Sequence, residues 1–142
     1  MPFENPSREE IKRILQQANI IAVVGLSGDP DKTSHMVSAA MQAKGYRIIP
    51  VNPKEEEILG EKCYKSLADI PEPIDIVNVF RRPEHTPPIA KEAVDAGAKV
   101  LWLQLGVVND EAARIAADGG LTVIMDRCIK VEDSILLPEG RR

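Results

Sequence analysis

Cysteine is scarce in this 142-residue chain. Its two copies, Cys63 and Cys128, lie far apart and form no C-x-x-C pair, so zinc-ribbon and dithiol redox motifs are excluded as local patterns. An excess of basic charge is also missing. The 18 Lys and Arg are outnumbered by 22 Asp and Glu, for a net charge of −4. No global positive field is available for nucleic acid. Long apolar runs are absent too: the stretch Ile20–Leu26 falls far short of the ~20 residues that cross a bilayer. The opening Met1-Pro-Phe-Glu-Asn-Pro-Ser7 has no charged segment leading into an apolar one, so it does not read as a signal peptide. These absences predict a cytoplasmic protein with free thiols, no nucleic-acid partner, no membrane and no metal.

What is present is an ordinary globular composition, with 44% hydrophobic and 28% charged residues. A chain of this length buries about two-thirds of its surface and supports one self-sufficient core. No linker or repeat divides it. The sequence predicts a single domain over 1–142 with a core at about 8–135.

Ser7-Arg-Glu-Glu10 is a capping box and predicts a helix start, followed by an apolar stripe of Ile11, Ile14, Leu15 and Ala18. Residues 20–24 form a β-branched run of the kind covered on both faces. Further strands are predicted over 47–51, 74–80, 99–103 and 121–125. Helices are predicted from Met36 to Gly45, from Pro87 to Gly97 and over 110–118. Alternating strands and helices imply an α/β, Rossmann-like, doubly wound and mainly parallel five-stranded sheet with helices on both faces. Ligands of such sheets bind beyond the carboxyl ends of the strands.

The residues after each strand are therefore the candidates. The first such turn runs Gly25-Leu-Ser-Gly-Asp-Pro-Asp-Lys-Thr-Ser-His35. Gly25 and Gly28 permit a sharp turn and close approach of a ligand, and the helix behind offers free N–H groups to a pyrophosphate. Thr33 and Ser34 add hydroxyls, or serve simply as a helix cap; Lys32 adds a countercharge. The turn is not a dinucleotide fingerprint, since Ser27 and Pro30 stand where G-x-G-x-x-G needs glycine. No acid ends the second strand to take a ribose hydroxyl; Asn52-Pro53-Lys54 stands there instead. Lys32-Thr33 copies only the end of a phosphate-binding Walker loop, without its glycine. Phe80 and Arg81 leave the third strand as candidates for contacting a base or a phosphate. Gln104 leaves the fourth. Arg127 and Cys128 leave the fifth, the thiol being either activated by its neighbour or a small buried hydrophobe. No Ser-His-Asp order or paired-carboxylate pattern assigns a catalytic residue, and His35 and His85 are not read as a catalytic pair.

Six segments together resemble the stand-alone CoA-binding proteins: Val23–Ser27, Lys32–His35, Ile49–Pro53, Val79–Arg81, Trp102–Gly106 and Asp126–Cys128. These in turn are similar to the N-terminal CoA-binding domain of the succinyl-CoA synthetase alpha subunit. The resemblance spans residues 8 to 135 and implies that the ligand is coenzyme A or an acyl-CoA. It implies that Gly25, Leu26, Ser27 and Lys32, Thr33, Ser34, His35 hold the pyrophosphate region. Asn52, Pro53 and Lys54 would flank the nucleotide, Phe80 and Arg81 would border the adenosine end, and Gln104, Arg127 and Cys128 would line the remaining wall. The phosphohistidine domain and partner subunit of the synthetases have no counterpart in these 142 residues, so CoA ligation is not expected of this chain by itself. A non-catalytic carrier, sensor or regulatory module is favoured. The alternative is thiol exchange with CoA disulfides through Cys128. The sequence identifies no protein partner.

Overall fold

The computed structural model describes residues 3–140. Helix α1 (Arg8–Gln17) starts where the Ser7 hydroxyl accepts the Glu10 N–H. Strand β1 (Ile20–Val24) leads through a loop into α2 (Thr33–Ala43) and back into β2 (Arg47–Val51). A short hairpin, β3 (Glu57–Ile58) and β4 (Glu61–Lys62), precedes β5 (Ile76–Val79). The chain continues through α3 (Thr86–Asp95), β6 (Val100–Leu103), α4 (Asp110–Asp118), β7 (Thr122–Ile124) and α5 (Ile129–Leu136).

Five strands form one parallel sheet in the order β2-β1-β5-β6-β7. Alternate residues of each strand enter different cores, as a sheet buried on both faces demands. Ala22, Val24, Val77, Val79, Leu101 and Leu103 pack on one face with Ile89, Ala90, Ala93, Ala112 and Ala116 of α3 and α4. Ile21, Val23, Ile48, Ile76 and Trp102 pack on the other with Ile11, Leu15, Val37, Met41 and Ile129 of α1, α2 and α5. The helices of the first face carry alanine at the contact, and Gly119 sits so close to Val94 that an added Cβ would lie 2.5 Å from its methyl.

Two parts of the sequence reading need correction. Strands and helices do not alternate throughout, because a hairpin and a 3₁₀ turn at Leu67–Asp69, with no α-helix, join β2 to β5. Gly60 at positive φ and prolines 71 and 73 favour tight turns there over a continuous helix. Helix α5 was not anticipated at all. It is fixed by its buried acids: Asp133, 1% exposed, takes Lys44 Nζ at 2.8 Å and the Tyr46 hydroxyl at 2.7 Å. Packing also reaches further towards the N-terminus than residue 8, since Phe3 packs against the first core.

Reversal of connection direction between β1 and β5 makes their carboxyl ends the switch point of the sheet. The loops leaving β1 and β5 diverge there.

Candidate ligand-binding site

The β1 exit is shaped by backbone constraint. Gly25 has φ +87°, and a Cβ built on it would lie 2.5 Å from the Phe80 carbonyl oxygen. Its N–H donates to Val51 O at 3.2 Å, so one glycine meets the exits of both neighbouring strands. Any side chain here would force the β1 and β5 loops apart. Leu26 is wholly buried beneath the turn.

The loop beyond is stabilised by its own side chains. Ser27 Oγ accepts the Asp29 N–H at 3.0 Å, and Asp29 Oδ1 accepts the Asp31 N–H at 2.9 Å. Ser34 Oγ accepts the Ser27 N–H at 3.0 Å, which makes Ser34 a clamp on the loop rather than a helix cap. The Ser27 carbonyl lies 2.9 Å from His35 Nδ1; a carbonyl only accepts, so Nδ1 carries the hydrogen.

Helix α2 begins differently from α1 and α4. Those two have side-chain caps, from Ser7 and Asn109, and two acids each in the first turn. Lys32 is the N-cap of α2, gives no side-chain cap, and no acid follows in the first turn. The N–H groups of the first helical residues, Thr33 and Ser34, have no intrahelical acceptor. A helix terminus with uncapped donors and adjacent Lys32 is electrostatically suited to an anion.

Asn52 ties the second loop to the first: its Nδ2 donates to Leu26 O at 2.9 Å and its Oδ1 accepts the Lys54 N–H at 2.8 Å. Pro53 and Lys54 are thereby held beside the β1 turn, both exposed. Glu55 also approaches, its carboxylate lying where a side chain on Gly28 would go. Arg81 is exposed, with its Cδ 3.1 Å from the position of a Gly25 Cβ, while Phe80 is half-buried against the second core.

The structure thus brings Gly25 to His35, Asn52 to Lys54 and Phe80–Arg81 together through direct contacts. The remaining candidates sit apart. Gln104 is 5% exposed, and its Nε2 donates to Asn78 Oδ1 at 2.7 Å, a buried pair within the sheet. Arg127 is exposed and Cys128 half-buried at the start of α5 on the far side of β7. Their turn is set by Asp126 at φ +58°, whose carboxylate accepts the Gly106 N–H at 2.8 Å. The Trp102 indole N–H donates to Arg127 O at 2.8 Å.

Sequence reasoning missed Asn52 as the tie between loops, Asn78 as the partner of Gln104, and Asp126 as the residue that shapes the last turn. The Asn-Pro that follows β2 is a turn signal that could have revealed the first; the other two depend on contacts across strands. Cys63 is buried, and its thiol is pushed up from its ordinary value by burial and then by Glu55 and Glu57. Both cysteines are free. Among the described residues, no group of three or more His, Cys, Asp or Glu is placed to hold a metal ion, and no helix is long and apolar enough to cross a membrane.

The sequence model of the CoA binding domain matches residues 19–134, which takes in every strand and strand exit described above. The chain belongs to the CoA binding domain family. Uncharacterized protein YneT of Bacillus subtilis is 57% identical over 133 residues, covering 94% of this chain and 98% of that protein. The alpha subunit of an ADP-forming acetate–CoA ligase II of Pyrococcus furiosus is 29% identical over 122 residues, covering 78% of this chain. The chain spans only 27% of that subunit's length. Among solved structures, a hypothetical protein from Pyrococcus horikoshii superposes with a TM-score of 0.90 at 38% identity, covering 96% of this chain and 99% of that one. A PH1109 protein redesigned for binding reaches 0.93 at 38% identity, with 97% of each chain covered.

Proposed function

We propose that the chain binds coenzyme A or an acyl-CoA at the carboxyl ends of β2, β1 and β5, as a cytoplasmic carrier or sensor. Membership of the CoA binding domain family supports the ligand class. The observation that carries the reading is the β1 exit: an uncapped α2 N-terminus reached through a glycine turn that admits no side chain. There the pyrophosphate meets the N–H groups of Thr33 and Ser34, with Lys32 as countercharge. The 3′-phosphate falls to Lys54, and Phe80 and Arg81 border the adenosine. His35 orients the loop through Ser27 rather than acting as a base. Free thiols at Cys63 and Cys128 fit a reducing compartment.

Calorimetric titration tests this. CoA is expected to bind at one site per chain and NAD much more weakly; equal or tighter binding of NAD would reject the reading. Gly25→Ala supplies the structural control. A left-handed φ costs an L residue about 1–2 kcal/mol, and its Cβ would push against the Phe80 carbonyl. CoA affinity should fall at least tenfold in a variant that still unfolds cooperatively.

A further inference from the structure

The loop that follows β2 lays a negative charge on the β1 turn. A Cβ built on Gly28 would lie 2.7 Å from one Glu55 carboxylate oxygen and 3.1 Å from the carboxylate carbon. We propose that Glu55 is a displaceable counter-anion, an inference that rests on the CoA reading above. Its carboxylate covers the binding turn in the empty protein, and the pyrophosphate of the ligand drives it off.

The glycine itself is the first support. Gly25 is required by its positive φ, but Gly28 has none, so backbone strain does not reserve the position for glycine. What a side chain there would meet is the Glu55 carboxylate. The small residue leaves room for the acid.

Place is the second. Ser27, the residue before Gly28, donates its N–H to Ser34 Oγ at 3.0 Å, so the turn that Glu55 touches is folded back on the start of α2. That start has neither the side-chain cap nor the first-turn acids of α1 and α4. A carboxylate delivered from another loop supplies part of the missing negative charge.

The third is how loosely the acid is held. Glu55 is exposed, and among the described residues no Lys, Arg or His lies within salt-bridge distance of it. A fixed cap has to be broken, whereas a solvated side chain swings aside. A pyrophosphate and a carboxylate repel each other on one turn, so ligand binding and the Glu55 contact exclude each other. Lys54 and Glu55 then act in opposition at the exit of β2: one residue attracts the ligand and the next resists it.

The experiment is calorimetric titration of the full chain with CoA in about 0.15 M salt, where exposed charges more than ~8 Å apart are largely screened. Glu55→Gln should bind CoA about two- to fivefold more tightly than wild type, the range of one exposed charge at a helix start. Glu56→Gln removes the same charge from the next residue, also exposed, and should stay within about 1.5-fold of wild type. Glu55→Gln that binds CoA no more tightly than wild type overturns the gate and leaves the CoA reading standing. Equal tightening by both variants also overturns it, because net charge then accounts for the gain. Failure of wild type and Glu55→Gln alike to bind CoA overturns both readings.

Discussion

The two ends of the parallel sheet are built on opposite plans. At the amino ends of the strands, charge is matched locally. Asp75 accepts the N–H groups of Asn19 and Ile20 at 2.8 and 2.9 Å and faces Lys99 at 3.5 Å. Arg47 pairs with Glu72 at 2.5 Å and Glu61 at 3.8 Å, and Lys44 pairs with buried Asp133. At the carboxyl ends, Lys32, Lys54, Arg81, Arg82 and Arg127 have no carboxylate within salt-bridge distance among the described residues. The helix start nearest the switch point is uncapped. One end pairs its charged side chains within the protein. The other keeps donors and cations available, which is what a phosphate-rich ligand requires. The cavity at the amino ends, about 190 Å³ and lined by Asp75 and Lys99, illustrates the contrast, because its charged groups already face each other.

Asp133→Ala should give the largest effect, and it should stay at the closed end. Removing one member of a buried ion pair costs roughly 3–5 kcal/mol. Lys44 keeps 30% of its side chain exposed and recovers some hydration, so about 3 kcal/mol is expected from urea unfolding. The Tyr46 hydroxyl loses Asp133 as an acceptor and keeps the Leu15 carbonyl at 2.8 Å. CoA affinity of the folded variant should change by less than about twofold. A large loss of affinity would show that the two ends are not independent.

Asp75→Ala should cost less, and its effect should depend on pH. Burial alone would raise this carboxyl, but the N–H groups of Ile20 and Asn19 and the charge of Lys99 outweigh it and hold the group below its usual value. A depressed carboxyl stabilises the fold above the unfolded value of about 3.9 and loses that contribution as pH falls through the folded value. Removing hydrogen bonds to a charged acceptor should therefore cost about 1.5–2 kcal/mol at pH 7. The gap between variant and wild type should close on acidification below about pH 4. A gap that stays constant from pH 7 to pH 3 would assign the loss to packing.

The same contrast explains what was legible in the sequence. The five strands could be read because burial on both faces leaves unbroken apolar runs, and the β1 turn could be read because Gly25 answers a backbone constraint. Helix α5 could not. Glu132 and Asp133 are buried acids in its middle, and only their distant partners, Lys44 and Tyr46, make sense of them. At the site, Asn52 and Gln104 have the residue types of ligand contacts, yet each has an amide hydrogen-bonded to the protein itself. A polar residue at a strand exit reads identically in sequence whether its partner is a ligand or a neighbouring strand. Phe3 lay in a segment read only for what it lacked.

Lys54→Ala should give the smallest effect and draw the comparison most finely. The side chain is exposed, so its charge acts through water and is screened by salt; an exposed pair contributes at most ~1 kcal/mol, or about fivefold in affinity. Fold and stability should be unchanged, since the residue's fixed contact is its backbone N–H to Asn52. The specific expectation is a two-by-two titration of wild type and variant against CoA and dephospho-CoA. Wild type should prefer CoA by about three- to fivefold in low salt, the variant should show no preference, and 0.5 M salt should erase most of the difference. Were Lys54→Ala to weaken both ligands equally, its charge would be acting on the pyrophosphate, and the 3′-phosphate would fall to Arg81 instead. The carboxyl end would still be the open one.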